Sequence, residues 1–156
     1  MGRSVALEPG DNGAVMTRIG PYALWIGHAG EARDYAQMAE EGIEVLVNLA
    51  AEEPSERAPR DLVSLRIPLV DGIGNRPGWI DLAVTTVAHL LASGVPTLIC
   101  CGAGKSRAPT IAAAAMAVAL RSDPAECLRE ITTWHHCDVA PGFWDEVKVL
   151  LDRRSR

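Results

Sequence analysis

Residues 99–110 read Ile-Cys-Cys-Gly-Ala-Gly-Lys-Ser-Arg-Ala-Pro-Thr, and the rest of the chain can be understood around this stretch. The apolar run from Pro96 to Cys100 predicts a buried strand, and a helix is predicted to begin near Arg107. Between them lies a short turn of small residues that contains two glycines. Such a turn at a helix N-terminus points several backbone N–H groups at one place, so it predicts an anion-binding site.

Two side chains make this turn more specific than a general anion site. Cys101 stands at the end of the strand, and Arg107 follows after five intervening residues. A thiol at a helix N-terminus beside a cation becomes a nucleophilic thiolate. A guanidinium is planar and can bind two oxygens of a phosphoryl group, while the N–H groups of the turn bind the others. The pattern therefore predicts phosphoryl chemistry.

Two other phosphate-binding motifs can be excluded by their spacing. Gly104-Lys105-Ser106 matches the end of a nucleotide-binding P-loop, but that motif requires glycine where Ile99 stands. The dinucleotide fingerprint could begin at Gly102, but it requires glycine at the position of Arg107. Neither nucleotide motif is therefore present.

The run Cys-Gly-Ala-Gly-Lys-Ser-Arg-Ala-Pro-Thr resembles the C-x5-R signature of the cysteine-based protein phosphatases, most closely their dual-specificity group. By that resemblance, Cys101 is the nucleophile and Arg107 binds phosphate. The resemblance also implies a substrate cradle made by Gly102, Ala103, Gly104, Lys105 and Ser106. The resemblance is not limited to this run, since the segment 22–49 is similar to the N-terminal half of the same group. In all, the resemblance covers residues 15–152. The alternative is a buried cysteine and a surface arginine at an ordinary turn.

Two positions depart from the family pattern. The family usually has histidine before the nucleophile, where this chain has Cys100, and serine or threonine after the arginine, where it has Ala108. In the family that hydroxyl helps the thiolate to leave when the phosphocysteine intermediate is hydrolysed. An Arg-Ala-Pro sequence at this place also resembles the slow phosphatases of regenerating liver. We therefore predict a slow second step. The neighbouring Cys100 thiol could also trap an oxidised Cys101, although a bond between adjacent cysteines is strained.

A glycine-rich loop at 68–78 follows a predicted strand and contains one acid, Asp71, thirty residues before Cys101. Cleavage of a phosphate monoester needs a proton for the leaving oxygen, and a positioned carboxylic acid can supply it. The resemblance places the family's general acid in this loop, and its glycines would let the loop close over substrate. Asp71 is therefore the predicted general acid, with Asp81 as second choice. The alternative is a turn-forming aspartate before glycine.

Composition narrows the class of protein further. The chain has 156 residues, 48% of them hydrophobic and 22% charged, which is typical of one globular domain spanning 1–156. A net charge of −5 argues against nucleic acid as a partner. No apolar run is long enough to span a membrane, and the N-terminus lacks a signal-peptide pattern. Four cysteines without framework spacing favour the cytoplasm. The oligomeric state stays open.

The order of predicted elements favours an α/β domain with a central, mostly parallel sheet flanked by helices. After a loose lead at 1–13, strands are predicted at 15–19, 22–26, 43–49, 62–69 and 96–100. Helices are predicted at 30–41, 78–92, 108–120 and 124–134, with a last helix after 140. The polar loop 51–60 is interpreted as a solvated surface. The helix at 108–120 is apolar all round, which predicts burial.

The segment His135-His136-Cys137-Asp138 has the side chains of a metal site. Adjacent residues rarely converge on one ion, and the usual zinc spacings are absent. We therefore expect no metal and no cofactor.

The predicted substrate is a phosphorylated protein or a small phosphorylated molecule, bound in a shallow dual-specificity pocket. Lys105 adds a second cation to the cradle, and the tensin-like phosphoinositide phosphatases have lysine at the same place. A phosphoinositide or inositol phosphate is thus an alternative substrate. A phosphate-binding module with little turnover is another interpretation, motivated by Cys100 and Ala108. A rhodanese-like sulfurtransferase is a third, although sulfur transfer needs no acid such as Asp71.

Overall fold

A five-stranded sheet organises the computed structural model, which describes residues 16–54 and 57–155. Its strands are β1 (Thr17–Arg18), β2 (Leu24–His28), β3 (Val45–Ala50), β4 (Val63–Leu69) and β5 (Thr97–Cys101). They lie in the order β1-β2-β5-β3-β4; β1 is antiparallel to β2, and every other neighbouring pair is parallel. The expected α/β fold with a mostly parallel sheet is confirmed. The predicted loose lead at 1–13 and the start of the first strand at residue 15 lie outside the described residues.

Helices cover both faces of this sheet. They are a 3-10 helix (Glu31–Arg33), α1 (Tyr35–Glu41), α2 (Pro77–Ala92), α3 (Arg107–Leu120), α4 (Pro124–Trp134) and α5 (Pro141–Arg154). The larger hydrophobic cluster joins one face of the sheet to α2, α3, α4 and α5, and a smaller cluster joins the other face to the 3-10 helix and α1. None of the helices within 16–54 and 57–155 is long and apolar enough to cross a membrane.

Helix α3 lies at the centre of the helical layer and fixes the end of β5. It is buried from Arg107 to Ala117 and packs against α2, α4 and α5. Its alanine-rich sequence makes this possible, because small side chains allow three helices to approach it closely. The prediction of a buried helix after the loop is therefore confirmed, and the loop at 102–106 is held between two rigid, buried elements.

One predicted helix is divided in two. The segment predicted as a helix at 30–41 forms the 3-10 helix, breaks at Asp34, and resumes as α1. The Asp34 side chain accepts a hydrogen bond of 3.0 Å from the Gln37 N–H, which makes it the N-cap of α1. Aspartate competes with helix continuation by binding nearby N–H groups, so it favours a new start over an unbroken helix.

The two adjacent cysteines of β5 point to opposite faces of the sheet. Cys100 belongs to the smaller cluster and Cys101 to the larger one. This follows from strand geometry, since successive side chains alternate across a pleated sheet. Burial, with Glu31 and Cys101 nearby, raises the pKa of the Cys100 thiol well above its ordinary value. Cys100 is therefore a protonated core thiol on the face away from Cys101.

Candidate active site

The phosphate loop, defined here as residues 102–106, connects the end of β5 to the first residue of α3. Cys101 is the last residue of the strand and is only 2% exposed. The backbone N–H of Ala108, in the first turn of α3, donates to Cys101 Sγ at 3.4 Å. A donor of this kind binds an ionised acceptor about twice as strongly as a neutral one. The start of the helix therefore directs a backbone hydrogen-bond donor at the Cys101 sulfur.

Three backbone carbonyl groups of the phosphate loop form hydrogen bonds with residues of other segments. The Ala29 N–H donates to the Gly102 oxygen at 3.2 Å, the Asp138 N–H to the Lys105 oxygen at 2.8 Å, and His135 Nε2 lies 2.6 Å from the Gly104 oxygen. The C=O and N–H of one trans peptide point in opposite directions, and none of the described peptides is cis. The N–H groups of Ala103, Lys105 and Ser106 consequently point away from Ala29, His135 and Asp138, which suits an anion cradle.

His135 supports the loop rather than lying in a metal cluster. A carbonyl oxygen can only accept a hydrogen bond, so the Nε2 atom of His135 carries the ring proton. The other ring nitrogen, Nδ1, lies 3.1 Å from Thr17 Oγ1. Burial lowers the pKa of His135 below its usual value, which favours the neutral ring. No group of three or more His, Cys, Asp or Glu side chains in the described residues is arranged to hold a metal. Nothing in the local sequence around His135 signals its contact with Gly104.

Gly104 is the tightest point of the loop. Its φ of +71° lies in the left-handed region, where residues with a Cβ are strained. A Cβ on Gly104 would lie 2.8 Å from the backbone oxygen of Gly27, which belongs to β2. The loop thus packs directly against a neighbouring strand, and only glycine fits there.

Arg107 is buried beneath the loop, with 5% of its surface exposed. Its Nη1 donates to Glu52 Oε2 at 2.6 Å and to the Leu69 carbonyl at 2.8 Å, and its Nη2 donates to Glu52 Oε1. Its Nε–H is buried and has no hydrogen-bond partner within the described part of the chain. A buried donor without a partner is costly, so this N–H is available for an incoming acceptor.

Glu52 was missed by the sequence analysis. The interpretation of 51–60 as a solvated surface gave Glu52 no role, but this half-exposed residue forms a two-pronged ion pair with Arg107. The hydrogen bonds from Arg107 lower the pKa of Glu52, and those same bonds raise the pKa of Arg107 further above its usual value. The position of Glu52 in the chain could have indicated this role. Glu52 lies two residues beyond the carboxyl end of β3, and β3 is the neighbour of β5 in the sheet.

We expect that Glu52→Ala lowers kcat/KM for an aryl phosphate by about tenfold. Hydrogen bonds to charged groups contribute about 1.5–3 kcal/mol, and we take the low end because Glu52 is half-exposed. Steady-state kinetics measure the effect. The matched control is Glu53→Ala, because Glu53 has the same charge but binds Arg33 instead. A rise in kcat/KM for Glu52→Ala would contradict the prediction, since Glu52 would then chiefly repel the phosphate dianion.

Asp71 is brought to the phosphate loop. Its Oδ1 lies 2.6 Å from Ser106 Oγ, within hydrogen-bonding distance, although the Asp71 side chain is 35 residues earlier in the chain. Asp81, the second choice from the sequence, instead lies 3.6 Å from Arg154 Nε in α5. The geometry therefore brings together Cys101, Arg107 and Asp71.

The acid loop, defined here as residues 70–76, is tied both to itself and to α5. Asn75 binds the backbone of Val70 in both directions, with bonds of 2.7 and 2.9 Å. Glu146 of α5 accepts hydrogen bonds from the N–H groups of Gly74 and Asn75, at 3.0 and 3.2 Å. These bonds give the loop a defined position beside Ser106.

Comparison with known proteins now identifies the family. A family model described as a Swiss Army Knife protein, DSP-PTPase phosphatase domain, matches residues 14–140. The chain belongs to this DSP-PTPase phosphatase family. The resemblance to dual-specificity phosphatases in residues 99–110 is therefore confirmed.

Relatives of this phosphatase domain are distant in sequence but close in fold. Human dual specificity phosphatase 28 is 25% identical over 144 residues, which cover 85% of this chain and 76% of that protein. A crystal structure of that human phosphatase superposes with a TM-score of 0.78 at 20% identity, covering 90% of this chain and 98% of the other. A mouse dual specificity phosphatase complexed with zinc tungstate superposes at 0.78 and 22% identity, covering 98% and 93%.

The same fold also occurs in a protein whose name describes it as phosphatase-like and as interacting with other molecules. The human tyrosine phosphatase-like serine/threonine/tyrosine-interacting protein superposes with a TM-score of 0.77 at 15% identity, covering 90% of this chain and 98% of that chain. At these identities the superpositions establish the fold alone. The activity of this chain must therefore be argued from its own residues.

Proposed function

We propose that this chain hydrolyses phosphate monoesters through a phosphocysteine intermediate, without a metal ion. The observation that carries the proposal is the buried Nε–H of Arg107, which has no partner among the described residues, on an arginine that Glu52 already orients. Membership of a phosphatase family supports phosphorylated substrates. Orientation by Glu52 leaves Nε free to bind one phosphoryl oxygen, and the N–H groups of Ala103, Lys105 and Ser106 suit the others.

In the first step, the Cys101 thiolate attacks phosphorus in line with the bond to the leaving oxygen. A P–S bond forms as the P–O bond breaks, and the electron pair of that bond goes to the leaving oxygen. Asp71 gives this oxygen its proton, so an alcohol or phenol departs. The products are a phosphocysteine at Cys101 and an ionised Asp71.

In the second step, water replaces the thiolate. Asp71 takes a proton from water as its oxygen attacks phosphorus, the P–S bond breaks, and the electron pair returns to Cys101. Inorganic phosphate is released, and both Cys101 and Asp71 regain their starting states. In the family, a hydroxyl after the arginine helps the thiolate to leave, and here the position holds Ala108, which is fully buried. We therefore assign the slow step to hydrolysis of the intermediate.

Phosphoproteins with phosphotyrosine, phosphoserine or phosphothreonine are the proposed substrates, with phosphoinositides or inositol phosphates as the alternative suggested by Lys105. The second candidate function is a phosphate-binding module with little turnover, and Ala108 is the observation that favours it. The four cysteines, all free thiols, suit the reducing cytoplasm.

The test is hydrolysis of p-nitrophenyl phosphate by the wild-type chain in the presence of EDTA. Activity that survives EDTA supports a metal-independent phosphatase, and panels of phosphopeptides and phosphoinositides then separate the two substrate classes. Loss of all activity in EDTA that zinc or magnesium restores would overturn the metal-independent mechanism. No activity under any condition, with vanadate still bound, would favour the binding module.

We expect Ala108→Ser to accelerate turnover, because the new hydroxyl can hydrogen-bond to the departing thiolate. A gain of about tenfold in kcat corresponds to about 1.4 kcal/mol of barrier. Rapid-quench kinetics should show a burst of one phenol per active site in the wild type and a smaller burst in the variant. Absence of a burst in the wild type would show that phosphocysteine hydrolysis is not rate-limiting.

A further inference from the structure

The Ser106 hydroxyl joins the phosphate loop to the acid loop. Its Oγ lies 2.6 Å from Asp71 Oδ1 and accepts a hydrogen bond of 2.8 Å from the Ala140 N–H. Ser106 itself is buried, with 6% exposed. An N–H can only donate, so the Ala140 bond uses a lone pair of Oγ and leaves the hydroxyl proton free for Asp71.

The position of Ser106 in the chain makes this contact unusual. Ser106 is the N-cap of α3, where a serine side chain normally accepts from an N–H of its own first turn. Here the side chain makes no capping hydrogen bond to α3. Its hydroxyl instead reaches a different loop. Helix α3 therefore lacks the stabilisation that a side-chain N-cap would provide, and the Ser106 side chain does not occupy the N–H groups of its first turn.

We propose that Ser106 is the positioning residue for the general acid. Its hydroxyl donates to Oδ1 of Asp71, so the transferable proton sits on Oδ2, the oxygen left free to face the leaving group. The Lys105 carbonyl faces the Asp138 N–H, so the backbone N–H of Ser106, in the same peptide, points the opposite way and suits a phosphoryl oxygen. One residue therefore holds both the phosphoryl group and the acid in a fixed relation. This inference rests on the proposed phosphatase function.

The test uses the leaving group. Phenyl phosphate has a poor leaving group that needs a proton, whereas p-nitrophenyl phosphate has a good one that needs it less. We expect Ser106→Ala to lower kcat/KM about tenfold or more for phenyl phosphate, because a slightly displaced acid transfers its proton poorly. The loss for p-nitrophenyl phosphate should be about twofold or less. Inhibition by vanadate should stay within about twofold, since the backbone cradle is unchanged.

Two comparisons separate positioning from general damage. Thr110→Val removes a buried hydroxyl inside α3, one turn after Ser106. Its Oγ1 has no partner among the described residues, so the activity on both substrates should be unaffected. Asp71→Asn should show the same leaving-group selectivity as Ser106→Ala, with larger losses. In the double variant, Ser106→Ala should add no loss to Asp71→Asn, because the two residues act as one unit.

Each outcome decides a separate question. Equal losses on both substrates for Ser106→Ala, or additive losses in the double variant, would overturn the positioning role. A leaving-group effect for Asp71→Asn without one for Ser106→Ala would overturn this inference and leave the phosphatase proposal standing. If Asp71→Asn itself shows no leaving-group effect, the assignment of Asp71 as general acid fails.

Discussion

Replacement of Cys101 by serine is expected to abolish turnover, lowering kcat for p-nitrophenyl phosphate by at least about 10⁴-fold. Serine is not ionised at neutral pH, so its hydroxyl is a far weaker nucleophile than a thiolate. The cradle should survive, because Arg107 and the loop N–H groups do not depend on sulfur. Vanadate and inorganic phosphate should therefore still bind, which calorimetry can measure. Mass spectrometry after acid quenching should detect the phosphoryl adduct only in the wild type.

The neighbouring thiol provides the control for this experiment. Cys100→Ala also removes a buried thiol from β5, but on the opposite face of the sheet. Its kcat should fall by less than about threefold if the variant remains folded by circular dichroism. Residual turnover of Cys101→Ser at the wild-type level would show that another group is the nucleophile.

Arg107→Lys is expected to lower kcat/KM by about 10³-fold or more. A lysine presents one compact charge, so it cannot bind both carboxylate oxygens of Glu52, the Leu69 carbonyl and a phosphoryl oxygen at once. In contrast to Cys101→Ser, this variant should also lose vanadate affinity. The two largest effects thus differ in kind: one removes the nucleophile, and the other removes phosphate binding.

Arg66→Lys is the matched control for that substitution. Arg66 is exposed in β4 and donates to the carbonyls of Ala51 and Glu53, close to the site but outside it. Its activity should stay within about twofold of the wild type. An Arg107→Lys variant that retains wild-type vanadate affinity would contradict the role given to the guanidinium.

The proposed nucleophile and the proposed phosphate-binding arginine could be located from the sequence because both stand in one local segment. A strand, a turn of small residues and a buried helix are each visible in residues 96–120, and together they determine where Cys101 and Arg107 lie. Asp71 could be predicted only as a residue in the right kind of loop. Its contact with Ser106 depends on how β4 lies in the sheet, which spacing alone does not give.

Other parts of the site could not be predicted, for the same physical reason. Glu52 reaches Arg107 and His135 reaches the phosphate loop from segments far away in the chain, and no local pattern around either residue indicates its contact. Side chains that bind a distant backbone carbonyl or guanidinium leave no periodic pattern. The break at Asp34 was missed because 30–41 was predicted as one continuous helix, whereas an aspartate inside that segment acts as an N-cap.

The packing of Gly104 against Gly27 limits what the shorthand C-x5-R can mean for this fold. The shorthand treats five positions as interchangeable, yet at Gly104 a methyl group would press on the backbone of β2 while the chain itself resists the required φ. A sequence could keep both the cysteine and the arginine, match the shorthand, and still be unable to form this cradle. Searches for active members of the fold would therefore discriminate better if glycine at this position counted as heavily as the two reactive side chains.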